Sequence, residues 1–154
     1  PHPQLETRRK KAIPRGRKEL TEPWTLPDAA ETAWEILLEI PAQQQTGGLL
    51  LQVGSCFALE LTLASRTLHA YARDSGEQTM QDCGTLQLAP GAPVRLQVFL
   101  DRCSAEIFAD GKCLSVNVFD TAPLRPVSLI PQGGTLPLQL LQVWQLQHVM
   151  EPQT

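Results

Sequence analysis

The sequence predicts an all-β protein, a two-sheet antiparallel β-sandwich of about ten strands, and three observations lead there. From Ala33 onward, short apolar runs recur at the spacing of strands. Gly47-Gly48, Gly54-Ser55, Ser75-Gly76, Pro90-Gly91 and Gly133-Gly134 punctuate them as turns. No stretch carries a convincing helical period, so paired sheets fit better than an α/β arrangement. No internal repeat is visible, which argues against a propeller within this chain.

In chain order the expected strands are Ala33 to Ile40, Leu49 to Val53, Phe57 to Leu63, Thr67 to Ala72, Gly84 to Leu88 and Val94 to Leu100. Ser104 to Ala109, Lys112 to Val118, Val127 to Ile130 and Leu136 to Val149 follow. The segment before them, residues 1–28, holds seven of the chain's 13 basic residues among Pro3, Pro14, Pro23 and Pro27. It reads as a linker-like arm, with the sandwich expected over residues 29–154. The polar opening without an initiator Met suggests a piece of something longer.

The most informative stretch is VFLDRCSAEIFADGKCLSVNVFD, residues 98–120. Asp110-Gly111 between two β-rich runs is the pair that a two-residue type I′ hairpin requires. That turn sets Ala109 against Lys112, Ile107 against Leu114, Ala105 against Val116 and Cys103 against Val118, an apolar face. The other face pairs Phe108 with Cys113, Glu106 with Ser115 and Ser104 with Asn117. If Asp101-Arg102 is a second two-residue turn, Val98 faces Ala105, Leu96 faces Ile107 and Arg95 faces Phe108. The apolar face then runs across three strands, and a one-residue slip at either turn would exchange the faces. Asp-Arg is a poorer primed-turn pair than Asp-Gly. The outer side gathers Arg95, Phe99 and Phe108 as a candidate interface patch.

In the last strand, Leu138, Leu140, Trp144, Leu146 and His148 alternate with Gln139, Leu141, Val143, Gln145 and Gln147. Trp144 is expected in the core, with an exposed sugar platform as the alternative. Net charge is −3 with a pI near 5.6, which supplies no basic field for nucleic acid. The basic arm lacks interleaved aromatics and a phosphate-cradling glycine loop. There is no apolar run of ~20 residues and no charged-then-apolar leader, so no membrane span is expected. Cys56, Cys83, Cys103 and Cys113 lack metal-ligand spacing and neither metal nor cofactor is expected. The register sets Cys103 and Cys113 apart along the ribbon, so free thiols and a reducing cytoplasm are the expectation.

The run from Val98 to Gly111 resembles the "hydrophobic-Asp-Arg-Ser-Ser-Val-Glu-Val-Phe" signature near the end of glycoside hydrolase family 32 enzymes: invertases, levanases, inulinases and sucrose-6-phosphate hydrolases. Asp101, Arg102, Glu106, Phe108, Asp110 and Gly111 carry it, with Cys103 and Ala105 as departures. Trp144-Gln145-Leu146 is similar to the family's closing "Val-Trp-Xaa-Leu", and Pro1 to Arg8 to its entry into the sandwich. The resemblance implies a C-terminal sandwich of concanavalin-like jelly-roll type behind an N-terminal five-bladed catalytic propeller. The propeller's Trp-Met-Asn-Asp-Pro-Asn-Gly, Arg-Asp-Pro and Glu-Cys motifs are absent here, and Arg73-Asp74-Ser75 lacks the proline. A retaining glycosidase needs two carboxyls about 5 Å apart. Asp101 and Asp110 are expected at opposite ends of one strand, roughly 30 Å apart at 3.3 Å per residue, with Glu106 between them. The expectation is therefore an accessory domain whose partner is the propeller and which has no activity alone. A carbohydrate-binding module for fructans and a homodimerisation domain are the alternatives.

Overall fold

The computed structural model of the chain describes residues 9–13, 19–26, 33–73, 78–101, 104–117 and 126–146. They form fourteen strands and no helix. In order these are β1 (Arg9–Ile13), β2 (Glu19–Leu20), β3 (Trp24–Thr25), β4 (Ala33–Ile40), β5 (Gly48–Val53), β6 (Phe57–Thr62) and β7 (Thr67–Ala72). There follow β8 (Gln81–Gln87), β9 (Val94–Leu100), β10 (Ser104–Ala109), β11 (Lys112–Asn117), β12 (Val127–Gln132), β13 (Leu136–Pro137) and β14 (Leu140–Leu146). The first sheet runs β1-β14-β4-β9-β10-β11 and the second β3-β12-β5-β6-β7-β8, with β2 and β13 forming a short ribbon. Every pairing is antiparallel.

The sandwich core follows from period-two alternation. Ile36, Leu38, Leu96, Val98 and Ile107 of the first sheet meet Leu51, Leu59, Leu61, Leu68 and Leu129 of the second, all essentially without solvent contact. Each fully buried aliphatic side chain of this size contributes roughly 1.5–3 kcal/mol relative to exposure. This inner layer is the two-sheet antiparallel sandwich expected from the turn spacing.

Three differences from the sequence reading have physical causes. First, the segment read as a linker supplies β1, β2 and β3, which pair with β14, β13 and β12. Strands this short or this charged show no alternation of their own, and their conformation comes from the edges they complete. Second, the long final strand is broken into β13 and β14. Leu136 and Leu138 enter the main core, the Gln139 N–H donates to the Glu39 carbonyl at 2.9 Å, and the alternation restarts with Val143 inward opposite Ile36. Trp144 is therefore not a core residue; it lies half-buried on the outer face between Glu35 of β4 and Ala12 of β1. Third, β9 and β10 pair Leu100 with Ala105, Phe99 with Glu106, Val98 with Ile107 and Gln97 with Phe108. The Asp101 N–H donates to the Ser104 carbonyl at 2.9 Å, so the turn sits one residue later than Asp101-Arg102. Moving a turn by one residue shifts the pairing by two, which preserves the faces but changes every partner. The β10–β11 register agrees with the expectation at all six described pairs. Cys103, Val118 and Arg102 lie outside the described residues.

Replacing the fully buried Ile107 by Ala is expected to cost about 2–5 kcal/mol, a lost transfer contribution plus a cavity. Arg95→Ala, which removes a partly exposed ion pair with Glu39, should change stability by no more than about 1 kcal/mol. Urea denaturation of both variants checks the contrast.

Candidate functional site

Two of the signature residues, Asp110 and Gly111, serve one corner of the sandwich as structural parts. Asp110 and Gly111 join β10 to β11 with φ angles of 53° and 70°, the two positive values of a type I′ turn. Asp tolerates this region better than most side chains, and Gly enters it without steric cost. The Asp110 carboxylate also accepts the Ala89 N–H at 2.5 Å, and Lys112 Nζ donates to the Gln87 carbonyl at 2.7 Å. Ala89 lies in the connection that carries the chain from β8 in the second sheet to β9 in the first.

The same connection is held from the other side by Arg66, which the sequence reading did not single out. Arg66 sits in the β6–β7 turn at φ 54° and is almost completely buried. Its guanidinium donates to the Ala89 carbonyl at 3.1 and 3.3 Å and to the Ala92 carbonyl. Its own carbonyl accepts the Leu88 N–H at 2.7 Å and Gln87 Nε2 at 3.1 Å. Turns from both sheets thus close on one crossing segment. Nothing in Ala64-Ser65-Arg66 signals this, because an arginine in a turn without Gly or Asn normally reads as solvated surface.

The carboxylates of the signature are dispersed along the hairpin. Asp101 ends β9, Asp110 makes the distal turn, and Glu106 lies half-buried on the outer face opposite Phe99 and Ser115. The patch expected from Arg95, Phe99 and Phe108 is also rearranged. Phe99 packs edge-on against Phe108 with ring centroids 6.0 Å apart, and with Ala33 and Leu146 it forms a second, smaller apolar cluster. Phe99 is only 5% exposed within the chain itself. Arg95 faces Glu39 rather than Phe108 and binds its carboxylate at 3.1 Å, because the two-residue shift sets Gln97 opposite Phe108.

A different polar cluster occupies the outer face of the second sheet. His69 and Tyr71 alternate outward on β7, stacked with centroids 4.3 Å apart and an interplanar angle of 18°. The Tyr71 hydroxyl and His69 Nδ1 share a hydrogen bond at 3.2 Å. In β8 the pairing of Ala70 with Gly84 and of Tyr71 with Asp82 leaves Cys83 as the extra residue of a β-bulge. Gly84 has φ 126°, and a Cβ there would stand 2.8 Å from Leu114 Cδ1, so glycine is what the bulge accepts. The bulge turns Asp82 toward β7: its Oδ1 accepts the Gly84 N–H at 2.9 Å, and its Oδ2 lies 2.9 Å from His69 Nε2 in a close contact that is not aligned as a hydrogen bond. The Gly84 N–H, and secondarily His69, hold the Asp82 carboxyl below its ordinary value. Burial, reinforced by Glu60 and Asp82, pushes the Tyr71 phenol up. Partial burial likewise raises the Cys83 thiol, the direction opposite to that of a reactive thiolate. Among the described residues, Cys56, Cys83 and Cys113 form no disulfide.

The geometry defines a two-layer jelly-roll-type sandwich in which the signature's Asp110-Gly111 turn serves a corner of the scaffold. Residues 4–145 match the family described as glycosyl hydrolases family 32, C terminal, and the chain belongs to that family. Among solved structures it is similar to sucrose-6-phosphate hydrolase from Lactobacillus gasseri, with TM-score 0.66 and 14% identity, covering 94% of this chain and 30% of that one. A family 32 β-fructofuranosidase from Bombyx mori gives TM-score 0.62 at 19% identity, covering 96% and 29%. A toad ovary galectin solved in complex with thio-digalactose gives TM-score 0.52 at 13% identity, covering 80% and 99%. The chain thus spans about a third of the length of the hydrolases it resembles. No curated protein matches it.

Two outcomes follow from the site geometry. Asp110→Ala removes the acceptor for the Ala89 N–H and places Ala at positive φ, so it should destabilise by about 1–3 kcal/mol, whereas Asp110→Asn, which tolerates that φ and keeps an acceptor, should lose less than half as much. Thermal denaturation of the two variants checks the order. Because the folded Asp82 carboxyl titrates below its unfolded value of about 3.8, it contributes stability above that pH and loses it as pH falls through the folded value. Urea melts from pH 5 to pH 2 should therefore show a shallower acid loss for Asp82→Asn than for the unsubstituted chain.

Proposed function

We propose that this chain is the non-catalytic accessory β-sandwich of a family 32 hydrolase of β-fructofuranosidase type, and that it stabilises the catalytic propeller preceding it. The observation that carries the reading is the family match over residues 4–145 combined with the use of the signature's Asp110 carboxylate as scaffold. Asp110 is committed to a turn and a corner contact, and Asp101 closes the preceding hairpin. Family 32 enzymes join this C-terminal domain to an N-terminal propeller, and sucrose or a fructan is the expected substrate of that larger enzyme.

A second reading, that the domain also holds carbohydrate, is favoured by one observation: the outward group of Tyr71, His69, Glu60 and Asp82, from two adjacent rows of the second sheet. Aromatic and carboxylate groups presented together on a rigid sheet are suited to the alternating apolar and hydroxyl surfaces of a sugar. The galectin bound to thio-digalactose is an instance of a similar sandwich in complex with a saccharide.

The accessory reading is tested with a family 32 propeller produced without its own sandwich. Joined upstream of this chain, the propeller should melt at a higher temperature and retain more sucrose hydrolysis on heating than it does alone, while the chain by itself should show none. Hydrolysis by the isolated chain, or a joined propeller no more stable than the free one, would overturn the proposal.

A further inference from the structure

The second sheet's outer face has a built centre. Two rows cross it: Gln52, Ala58, Tyr71 and Asp82 on β5 to β8, and beside it Leu50, Glu60, His69 and Thr85. Ala58 is the small member of its row, so the face steps down between Gln52 and Tyr71, with Glu60 along one side. Tyr71 and His69 are braced against each other, and the bulge at Cys83 and Gly84 fixes Asp82 against His69. These side chains have already lost much of their rotamer freedom, which lowers the entropic cost of binding. Glu60, by contrast, is exposed and has no hydrogen-bond or ion-pair partner among the described residues, so both its oxygens remain available as acceptors.

The geometry points to a carbohydrate-binding subsite over Ala58, with Tyr71 as its apolar wall and Glu60 and Gln52 as its hydrogen-bonding groups; this inference rests on the carbohydrate reading above. The ligand class is a neutral saccharide. Neither row contains Lys or Arg, and two carboxylates would repel a phosphate or uronate. A pyranose or furanose presents C–H groups to a tyrosine ring on one side and vicinal hydroxyls to a carboxylate and an amide on the other. Glu60 accepts two of those hydroxyls, and the Gln52 amide both donates and accepts. The neutral Tyr71 hydroxyl stays with His69 and sets the tilt of the ring.

Tyr71 is the chain's one tyrosine, so 3-fluorotyrosine incorporated into the full 154-residue chain yields a single fluorine resonance at the proposed wall. Sucrose, 1-kestose and lactose are titrated against it, with calorimetry in parallel. At least one sugar should move the resonance saturably, and Glu60→Gln, a surface substitution whose fold is checked by circular dichroism, should weaken that binding roughly ten-fold. Heat of binding with a stationary fluorine resonance would place sugar elsewhere and overturn the subsite while leaving the carbohydrate reading intact. Neither heat nor shift with any of the three would overturn both. A resonance that responds equally in the Glu60→Gln variant, or to tetramethylammonium and to no sugar, would overturn the ligand assignment.

Discussion

The crossing between the two sheets is the constraint on which the rest of the fold depends. The two six-stranded sheets share one core, and the chain passes between them several times. One of these passages, the β8–β9 connection, is gripped at the Ala89 carbonyl by Arg66 and at the Ala89 N–H by Asp110. Both groups lie in tight turns at positive φ, one from each sheet. The hydrogen bonds that those turns position offset part of their backbone strain. The Asp110-Gly111 pair is consequently more than a hairpin marker: it sets the β10–β11 register and anchors the corner.

Much of the fold was legible because a half-buried strand announces itself by alternation. The inner faces of β4, β9 and β10 follow that rule, and the β10–β11 pairing follows from a turn dipeptide with one natural geometry. The β9–β10 turn carried no such dipeptide, and the reading missed by one residue at the turn and two in the pairing. Consistency of faces could not reveal the miss, because a two-residue slip leaves every inward side chain inward. The break before β14 was hidden for a related reason: Leu136 to Leu146 alternates plausibly in either phase, and only the Gln139 contact with Glu39 shows where the phase changes.

The candidate site was less legible than the fold. Arg66 looks like surface until its partners, backbone carbonyls distant in sequence, are known. His69, Tyr71 and Asp82 come together through a bulge, and a bulge is a mismatch between two strands that neither strand displays alone. Gly84 within an expected strand was the available signal, since an isolated glycine in a strand marks a bulge or a close approach.

Register also explains why polar groups occupy the outer face of β4. The aliphatic contacts of Ile36, Leu38 and Ile40 with Val98, Leu96 and Val94 would be nearly matched after a two-residue slip, because one branched aliphatic replaces another. The outer face does not permit that exchange. Glu35, with no solvent exposure, accepts from Gln97 Nε2 at 2.9 Å, and Glu39 is bound by Arg95 and Gln139. Slipping β9 by two residues would move Gln97 and Arg95 along β4, taking the Gln97 contact from Glu35 and the Arg95 contact from Glu39. Taking a hydrogen bond from the buried Glu35 carboxylate is penalised more heavily than exchanging one methyl group for another. The apolar face therefore supplies most of the stability of the sandwich while discriminating poorly among registers. Its few outer polar pairs add little net stability and select the one register in which the corner contacts at Ala89 can also form.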